Sequence, residues 1–447
     1  MGDRFEKAIV AGRAVAAAAA FAWASSAAVP AGAADVTVVE KAPRVAVAPE
    51  KRWSAALASE VRYYSWTGTR GSPTNVNANP GSGSQIYVPY AMQLVGAPND
   101  LFKVELLGRG GWVRSRQTTF GLSGEVDTIT DTVANGTLTY LGLNGIQPFV
   151  SLNLNVPTGR SALFGTAMNA RMDPDLVEIS SFGEGWNVGP TAGFNLPLTP
   201  SVLVTLAAGY TWRGVFDREN SLTAVANQRD LQALTRVDPG DVLTGTASLA
   251  YASGPWAASI VGTVSEETTS TQNDAALYRA GRRYLASGTL GYVWPERYGA
   301  TTLTASWARS NRNEVQFLGA QQLVTEPFNT NSTLYRVGLQ HLWPVRSLWL
   351  GPVASFLYRD NNTYDAATLQ FVPAKDRYAA GLLARYAATD ILSFNLRAEH
   401  VWTREGERDA INGQMFSVLA NGFVLSDAVP VVKSRGWQLA GGFNVRF

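Results

Sequence analysis

By type, the two histidines, His341 and His400, are the side chains best suited to acid–base chemistry in a chain that has no cysteine. Each stands two residues before a tryptophan, in a segment where apolar and polar residues alternate. On an extended strand this spacing puts the histidine and the tryptophan on one face. Neither histidine has the spacing to a carboxylate that a metal site or a nucleophile–base pair needs. We therefore expect no enzyme activity, no metal site and no cofactor, and interpret both histidines as amphipathic interface residues.

Carboxylates cluster in the stretch ARMDPDLVEIS, at Asp173, Asp175 and Glu178. Oxygen ligands so close together could bind a cation, although a solvated loop is the alternative that we favour. The preceding PTGRSALFG, 157–165, resembles a phosphate-binding loop in composition. It lacks the Lys-Ser/Thr ending and a following helix, so we exclude phosphate binding there.

Segments with a period of two recur along the chain and would position these residues. In DILSFNLRAEHVW, 390–402, every second residue from Leu392 to Ala398 is apolar, and the residues between are polar or charged. One apolar and one polar face is the pattern of a half-buried strand. We count about sixteen strands, with fourteen as the alternative, at roughly 52–66, 84–95, 101–114, 125–141, 146–157, 184–196, 201–216, 238–252, 256–266, 282–294, 300–311, 331–343, 348–359, 376–387, 391–403 and 433–447.

The connections between these strands alternate between short and long. The short ones are 96–100, 142–145, 197–200, 253–255, 295–299, 344–347 and 388–390. The long ones are 67–83, 115–124, 158–183, 217–237, 267–281, 312–330, 360–375 and 404–432. Short turns at one end and long loops at the other are typical of transmembrane β-barrels. The sequence thus predicts an all-β fold, a closed antiparallel barrel with short periplasmic turns and long outside loops, in the outer membrane of a Gram-negative bacterium.

Charged residues fall mainly on the face that this register directs into the lumen. A charge facing lipid at mid-membrane costs about 2–4 kcal/mol, so their placement supports the register. Besides Glu60, the expected pore-lining residues are Arg62, Lys103, Glu105, Arg109, Arg213, Arg336, Gln340, Arg377, Arg385, Arg397, Glu399 and Arg446. Basic residues outnumber acidic ones in this set, which indicates either an electropositive pore that favours anionic or neutral solutes, or Arg–Glu pairs that satisfy each other.

The loop 158–183 is the strongest candidate for an element that narrows the pore. It is long, it has apolar patches at Leu163-Phe164 and around Leu176, and in sixteen-stranded porins the corresponding loop folds inward. The charged residues that we expect in this constriction loop are Arg171, Asp173, Asp175 and Glu178.

The two ends of the chain define its domains and some of its partners. Basic residues, an Ala-rich apolar run and small residues at 31–33 predict a cleaved signal peptide, 1–34, followed by a periplasmic leader, 35–51, and a barrel, 52–447. The last strand, GWQLAGGFNVRF, ends at Phe447 and resembles the C-terminal signature that the barrel-insertion machinery reads. Other expected partners are outer-membrane lipid, lipopolysaccharide and a small-molecule solute, and the barrel could form a homo-oligomer. A net charge of +2 argues against nucleic acid.

Three stretches carry a resemblance to a known family: GEVDTITDTVANGTLTYLG (124–142), IQPFVSLNLNVPTGR (146–160) and WNVGPTAGFNLPLTPSVLVTLAAGYTWRG (186–214). Together they resemble the outer-membrane transporters of the phenol-degradation meta-pathway family, which are distant relatives of the fatty-acid transporter FadL. The resemblance implies uptake of hydrophobic or aromatic small molecules.

From these observations we expect an outer-membrane channel or transporter for passive passage of small solutes, either hydrophobic and aromatic or anionic. The alternative is a surface-exposed barrel whose long loops mediate adhesion or another interaction. The loops are mostly polar and show no repeated binding pattern, so the channel is the hypothesis that we favour.

Overall fold

The computed structural model describes residues 53–69, 81–119, 121–219, 234–295, 298–316, 322–368, 370–409, 417–418, 423–424 and 428–447. The expected signal peptide and leader lie outside the described residues. In the described ranges, no helix combines the length and apolar character needed to cross a membrane.

Strands make up most of the described chain. The described residues also contain one short 3₁₀ helix, Gly165–Ala170, between the sixth and seventh strands. The strands are β1 Trp53–Gly68, β2 Gly81–Asn99, β3 Phe102–Thr119, β4 Leu122–Ile129, β5 Thr132–Tyr140, β6 Gln147–Val156, β7 Asn187–Thr199, β8 Val202–Arg213, β9 Phe216–Glu219, β10 Leu234–Asp238, β11 Val242–Ser253, β12 Trp256–Glu267, β13 Ser270–Gln272, β14 Ala275–Arg279, β15 Arg283–Val293, β16 Ala300–Ser310, β17 Glu314–Val315, β18 Val324–Thr325, β19 Leu334–Val345, β20 Leu348–Arg359, β21 Lys375–Ala387, β22 Leu392–Glu405, β23 Ser417–Val418, β24 Phe423–Val424 and β25 Val432–Arg446.

The wall of the molecule is one closed antiparallel sheet. Its members pair in chain order, and β1 pairs with β2 on one side and with β25 on the other. The strand β3 pairs with β4 along one part of its length and with β5 along another, so β4 and β5 are two parts of one barrel strand. The wall therefore has sixteen strands, which confirms the predicted fold class and strand number.

The outer face of the wall is apolar. Large side chains such as Val150, Ile260, Leu339, Leu382 and Leu396 are exposed at alternate positions of their strands. Exposed tryptophans lie towards the strand ends, at Trp212, Trp256, Trp294, Trp343, Trp402 and Trp437. Because closure pairs the backbone groups between neighbouring strands, no open sheet edge faces the hydrocarbon. This exterior is that of a barrel of the outer-membrane type.

One predicted long loop, 115–124, is absent, and that prediction was wrong. The strands β3 and β4 continue through it and pair up to Thr119 and Leu122. Gly121 adopts a positive φ of 74° in the turn between them, a conformation that glycine reaches without steric cost. The sequence looked like a loop because its outward face is polar, with Arg114 and Arg116 both paired with Glu125 at 2.8 Å.

Several of the other long loops contain strands of their own. Parts of the predicted loops 217–237, 267–281 and 312–330 form a second sheet of six short strands, ordered β18-β17-β14-β13-β10-β9. These strands join three successive loops at one end of the barrel through backbone hydrogen bonds. The long segment between β6 and β7 folds into the barrel instead.

Candidate functional site

The segment 157–186, called the inner segment below, lies inside the barrel. Side chains along its length are buried, among them Leu163, Ala170, Met172, Val177 and Phe182. These side chains are buried because they pack against the inner face of the wall. The inward fold agrees with the expectation for the loop 158–183.

Asp131 holds both ends of the inner segment at the wall. Its Oδ1 accepts a hydrogen bond from the Gly159 backbone N–H at 2.8 Å, and its Oδ2 accepts one from the Glu184 backbone N–H at 2.7 Å. The side-chain amide of Asn155 donates to the same Oδ2 at 2.8 Å. This arrangement explains why the strand predicted at 125–141 is broken between β4 and β5, because the chain leaves the ladder at Asp131 to bind the segment.

Glycine is required where the two ends of the inner segment cross. A Cβ added to Gly159 would lie 1.9 Å from the carbonyl oxygen of Phe182, and one added to Gly183 would lie 2.7 Å from the carbonyl carbon of Gly159. Backbone atoms cannot move away as a flexible side chain can. The crossing therefore depends on the missing side chains.

Parts of both halves of the inner segment pack on the wall formed by β2, β3 and β4. Leu163, Ala170 and Phe182 form an apolar cluster with wall residues that include Tyr87 and Val113. Further contacts are polar, since Ser115 Oγ donates to the Ala170 carbonyl at 2.7 Å and Gln85 Nε2 to the Ile179 carbonyl at 2.8 Å. Because these buried polar groups are hydrogen-bonded to each other, they fix the position of the segment on the wall.

Glu178 connects the inner segment to β1. Its Oε2 accepts hydrogen bonds from the Arg62 guanidinium and, at 2.9 Å, from the Tyr64 hydroxyl. Arg62 also pairs with Glu60, whose Oε2 accepts from the Asn395 amide at 2.9 Å. The carboxylate of Glu178 is therefore part of a network that reaches from the segment to β22.

Asp173 and Asp175 connect the inner segment to the wall formed by β20 and β21. The Nζ of Lys375 lies 2.5 Å from Asp173 Oδ2 and 3.0 Å from Asp175 Oδ2, and only 1% of the Lys375 side chain is exposed. Arg359 adds a pair to Asp175 at 2.9 Å. The acidic stretch is thus neither an exposed loop nor a cation site, because protein cations occupy the carboxylates. Our preference for a solvated loop was wrong.

Arg171 stabilises the shape of the inner segment itself. Its guanidinium donates to the carbonyls of Ser180 and Ser161, both at 3.2 Å, and lies 5.5 Å from the centre of the Phe182 ring. The four residues expected in a constriction loop, Arg171, Asp173, Asp175 and Glu178, therefore all lie on the inner segment. Three of them bind the wall and one binds the segment.

Four of the other expected pore-lining cations have close partners that bind them directly. Lys103 lies 2.7 Å from Glu105, Arg397 lies 2.6 Å from Glu399, and Arg377 donates to the Gln438 amide oxygen at 2.9 Å. Arg213 lies 3.5 Å from Glu267 and 3.9 Å from Glu184 of the inner segment. For Lys103, Arg213 and Arg397 the mutual pairing of charges, one of our two alternatives, describes the geometry, whereas the partner of Arg377 is a neutral amide. Other members of the expected set lie on inward register positions of their strands: Arg109, Arg336, Gln340, Arg385 and Arg446.

Several residues that hold the inner segment were not among the sequence-based candidates. Lys375 was placed at the end of a loop, one residue before the predicted strand 376–387, although it continues the alternation of Arg377 and Arg385. Arg359 ended a predicted strand without being recognised as inward. Asp131 stood within a predicted strand, where only its contacts with Gly159 and Glu184 mark it as a loop anchor.

The wall opposite β1–β3 presents small hydroxyl side chains to the lumen. Serine and threonine occupy half of the inward positions of β12, β15 and β16: Ser259, Thr263, Ser265, Ser287, Thr289, Thr302, Thr304, Ser306 and Ser310. On β19–β22 the inward positions carry Arg336, Arg377, Arg385 and Arg397. The lumen thus has a side covered by the inner segment, a hydroxyl-bearing side and a basic side.

The comparisons with known proteins concern the architecture. No family model and no curated protein matches the chain. Among solved structures it is similar to an outer-membrane channel from Pseudomonas putida, with 16% identity and a TM-score of 0.37 over 64% of this chain and 95% of that one. It is also similar to OpdO of Pseudomonas aeruginosa, with 9% identity and a TM-score of 0.40 over 88% and 96% of the two chains. A FadL homologue from Pseudomonas aeruginosa matches at 12% identity and a TM-score of 0.38, over 88% and 90%. Since each TM-score is below 0.5, these likenesses add nothing to what the barrel itself shows.

Proposed function

We propose that this barrel is an outer-membrane channel that passes small polar solutes, with a preference for anions, through the space between the inner segment and the hydroxyl-bearing wall. The observation that carries this proposal is the fixed position of the inner segment, which is bound to β1 through Glu178 and to β21 through Lys375. A segment attached at two walls narrows a lumen without requiring a folded plug.

Charge on the inner wall supports the preference for anions. The inward faces of β19–β22 carry Arg336, Arg377, Arg385 and Arg397, whereas their inward carboxylates are Glu399 and Glu405. An excess of one sign in a narrow, low-dielectric passage raises the local concentration of the opposite ion. The resemblance to transporters of aromatic compounds would instead require an apolar path, and the serines and threonines of β12, β15 and β16 argue for a polar one.

Planar-bilayer recordings of the refolded mature protein test the proposal. We expect a stable conductance and, under a KCl gradient, a reversal potential that shows higher permeability for Cl⁻ than for K⁺. Ser306→Trp, which adds an indole to the hydroxyl-bearing wall, should lower the conductance severalfold. Ala305→Trp, on the outward face of the same strand, is the matched control and should leave it unchanged.

Three results would contradict the proposal. A cation-selective pore would show that the inward arginines do not set the ion preference. Equal conductance in the Ser306→Trp and Ala305→Trp variants would show that the solute does not pass along the hydroxyl-bearing wall. No conductance from a correctly folded barrel would favour the alternative function of the outside loops. That alternative has one structural observation in its favour, the six-stranded sheet that joins three loops into a common surface.

A further inference from the structure

Three cations lie together on the outward face of the barrel, at the end that carries the long loops. Arg404 is directly opposite Lys433 in the ladder between β22 and β25, and Arg435 is directly opposite Trp402. All three cationic side chains are exposed. Side chains directly opposite each other on one face of a sheet are about 4.5–5.5 Å apart at Cβ. The three positive charges therefore form one patch, called the outer basic patch below.

The chemistry of the outward face changes in order along both strands. From the loop end of β25 the outward residues are Lys433, Arg435, Trp437 and Leu439, and β22 runs from Arg404 to Trp402 and His400. The His400 ring lies 4.3 Å from the Trp402 ring and 4.9 Å from the Trp437 ring, so these side chains form one aromatic group. Tryptophans of this kind mark the boundary between hydrocarbon and lipid headgroups. The outer basic patch thus lies at the depth of the headgroups.

The outer basic patch differs from two other groups of cations near the loop end because it lacks carboxylate partners among the described residues. Arg114 and Arg116 both pair with Glu125, and Arg279 and Arg282 both pair with Glu266, at 2.7–2.9 Å. None of the described side chains makes an ion pair or a hydrogen bond with the side chains of Arg404, Lys433 or Arg435.

The nearest acid on the same face does not change this contrast. Asp376 on β21 is opposite Arg404 in the ladder, and it is half-buried beside Tyr358 without an ion pair to Arg404. Like charges directly opposite each other destabilise a sheet. An anion that binds between Arg404 and Lys433 would remove that repulsion.

We propose that the outer basic patch binds the phosphate groups of an outer-leaflet glycolipid of the lipopolysaccharide type, while Trp402 and Trp437 contact its acyl chains near the headgroup. Arginine and lysine are the side chains that recognise phosphate, arginine in a bidentate manner. The depth of the patch selects a lipid over a soluble anion, because the aromatic and apolar residues of β22 and β25 continue directly from the cations into the membrane. This site is independent of solute passage through the lumen.

Binding of diphosphorylated lipid A to the full mature protein in detergent tests the inference. Titrations monitored by native mass spectrometry should show saturable binding to the wild-type protein. Each cation near an anionic lipid surface contributes about a fivefold change in affinity, so Arg404→Gln, Lys433→Gln and Arg435→Gln together should weaken binding by about a hundredfold. Lys433→Gln alone should weaken it by about fivefold.

The double variant Arg114→Gln, Arg116→Gln is the matched control, because it also removes outward cations at the loop end but takes them from an existing pair with Glu125. It should bind lipid A as the wild type does, within about twofold. Heat-modifiable migration in gels confirms that each variant is folded before its affinity is compared. Lipid A without phosphates should bind as weakly to the wild type as the diphosphorylated form binds to the triple variant.

Any of three outcomes would overturn the inference. In the first, the triple variant and the control bind lipid A equally well. In the second, lipid A without phosphates binds as tightly as the diphosphorylated form. In the third, inorganic phosphate alone binds the wild type as tightly as lipid A, which would show a site for a soluble anion instead of a lipid.

Discussion

Replacement of Lys375 by methionine should detach the inner segment from the wall formed by β20 and β21. The substitution keeps a side chain of similar length but removes the ammonium that lies 2.5 Å from Asp173 and 3.0 Å from Asp175. Both carboxylates are less than a tenth exposed, so they would be left as buried charges with fewer partners. Arg359 still pairs with Asp175 and limits the loss.

The size of the effect follows from the burial of these groups. Removal of one partner from a buried ion pair costs about 3–5 kcal/mol, and the remaining Arg359 places Lys375→Met near the lower value. At about 1.4 kcal/mol for each factor of ten, the ratio of detached to bound segment should rise by about a hundredfold. The contacts of Leu163 and Phe182 with β2–β4 are unaffected, so the segment should detach at one side only.

Two measurements report this detachment. In planar bilayers, Lys375→Met should show more frequent openings to a higher conductance than the wild type. Because the chain has no cysteine, a single Met172→Cys substitution in either background provides a thiol next to Asp173. Met172 is buried against Tyr64 and Trp66 of β1, so its labelling by a water-soluble maleimide should be slow in the wild type. Labelling should be faster with Lys375→Met, because loss of the neighbouring Asp173 pair loosens this contact as well.

The control and the rescue separate detachment from general damage. Lys103→Met removes a cation from a wall pair with Glu105 and should change neither the labelling rate nor the openings. Addition of Asp173→Asn and Asp175→Asn to Lys375→Met removes the buried charges and should slow labelling again. If a folded Lys375→Met barrel labels at the wild-type rate and conducts as the wild type does, the ion pairs do not hold the segment and the reasoning is refuted.

Three further predictions concern the inner segment and the barrel closure. Gly124→Ala places a Cβ 2.4 Å from the Thr166 carbonyl oxygen and should displace the 3₁₀ helix, so that proteolysis of the inner segment increases. The control Gly108→Ala, whose added Cβ has no atom within 4 Å, should leave the proteolysis rate unchanged. Asp131→Ala leaves the backbone N–H groups at both ends of the segment without their acceptor. It should lower the free energy of unfolding, measured by calorimetry, by about 1–3 kcal/mol for each lost buried hydrogen bond. Deletion of Phe447 removes its two backbone hydrogen bonds with Ala55, at 2.8 and 3.3 Å, which end the pairing of β1 with β25. The yield of folded barrel in membranes should therefore fall. An unchanged yield would contradict a role of Phe447 in this pairing and as the proposed signal to the insertion machinery.

Most of the fold was predicted from the alternation of apolar and polar residues along the chain. Alternation along segments such as 390–402 assigned the inward and outward faces, and the number and order of the strands followed from the same pattern. The prediction failed between 115 and 124, where the outward face of β3 and β4 is polar. There, Arg114 and Arg116 pair with Glu125, and a strand with two polar faces cannot be distinguished from a loop by alternation.

The sequence by itself determined that the wall is a closed barrel, since alternation with few mid-strand charges on the outward face leaves a membrane-spanning sheet as the consistent solution. It also indicated which loop enters the barrel, because the apolar patches of 158–183 had to be buried somewhere. Only the tertiary structure decided how that loop is held. Asp131 meets Gly159 and Glu184, and Lys375 meets Asp173 and Asp175, across separations of up to 202 residues along the chain. Such pairs depend on barrel closure and on the position of each strand in the ring, and alternation within one strand contains no information about either.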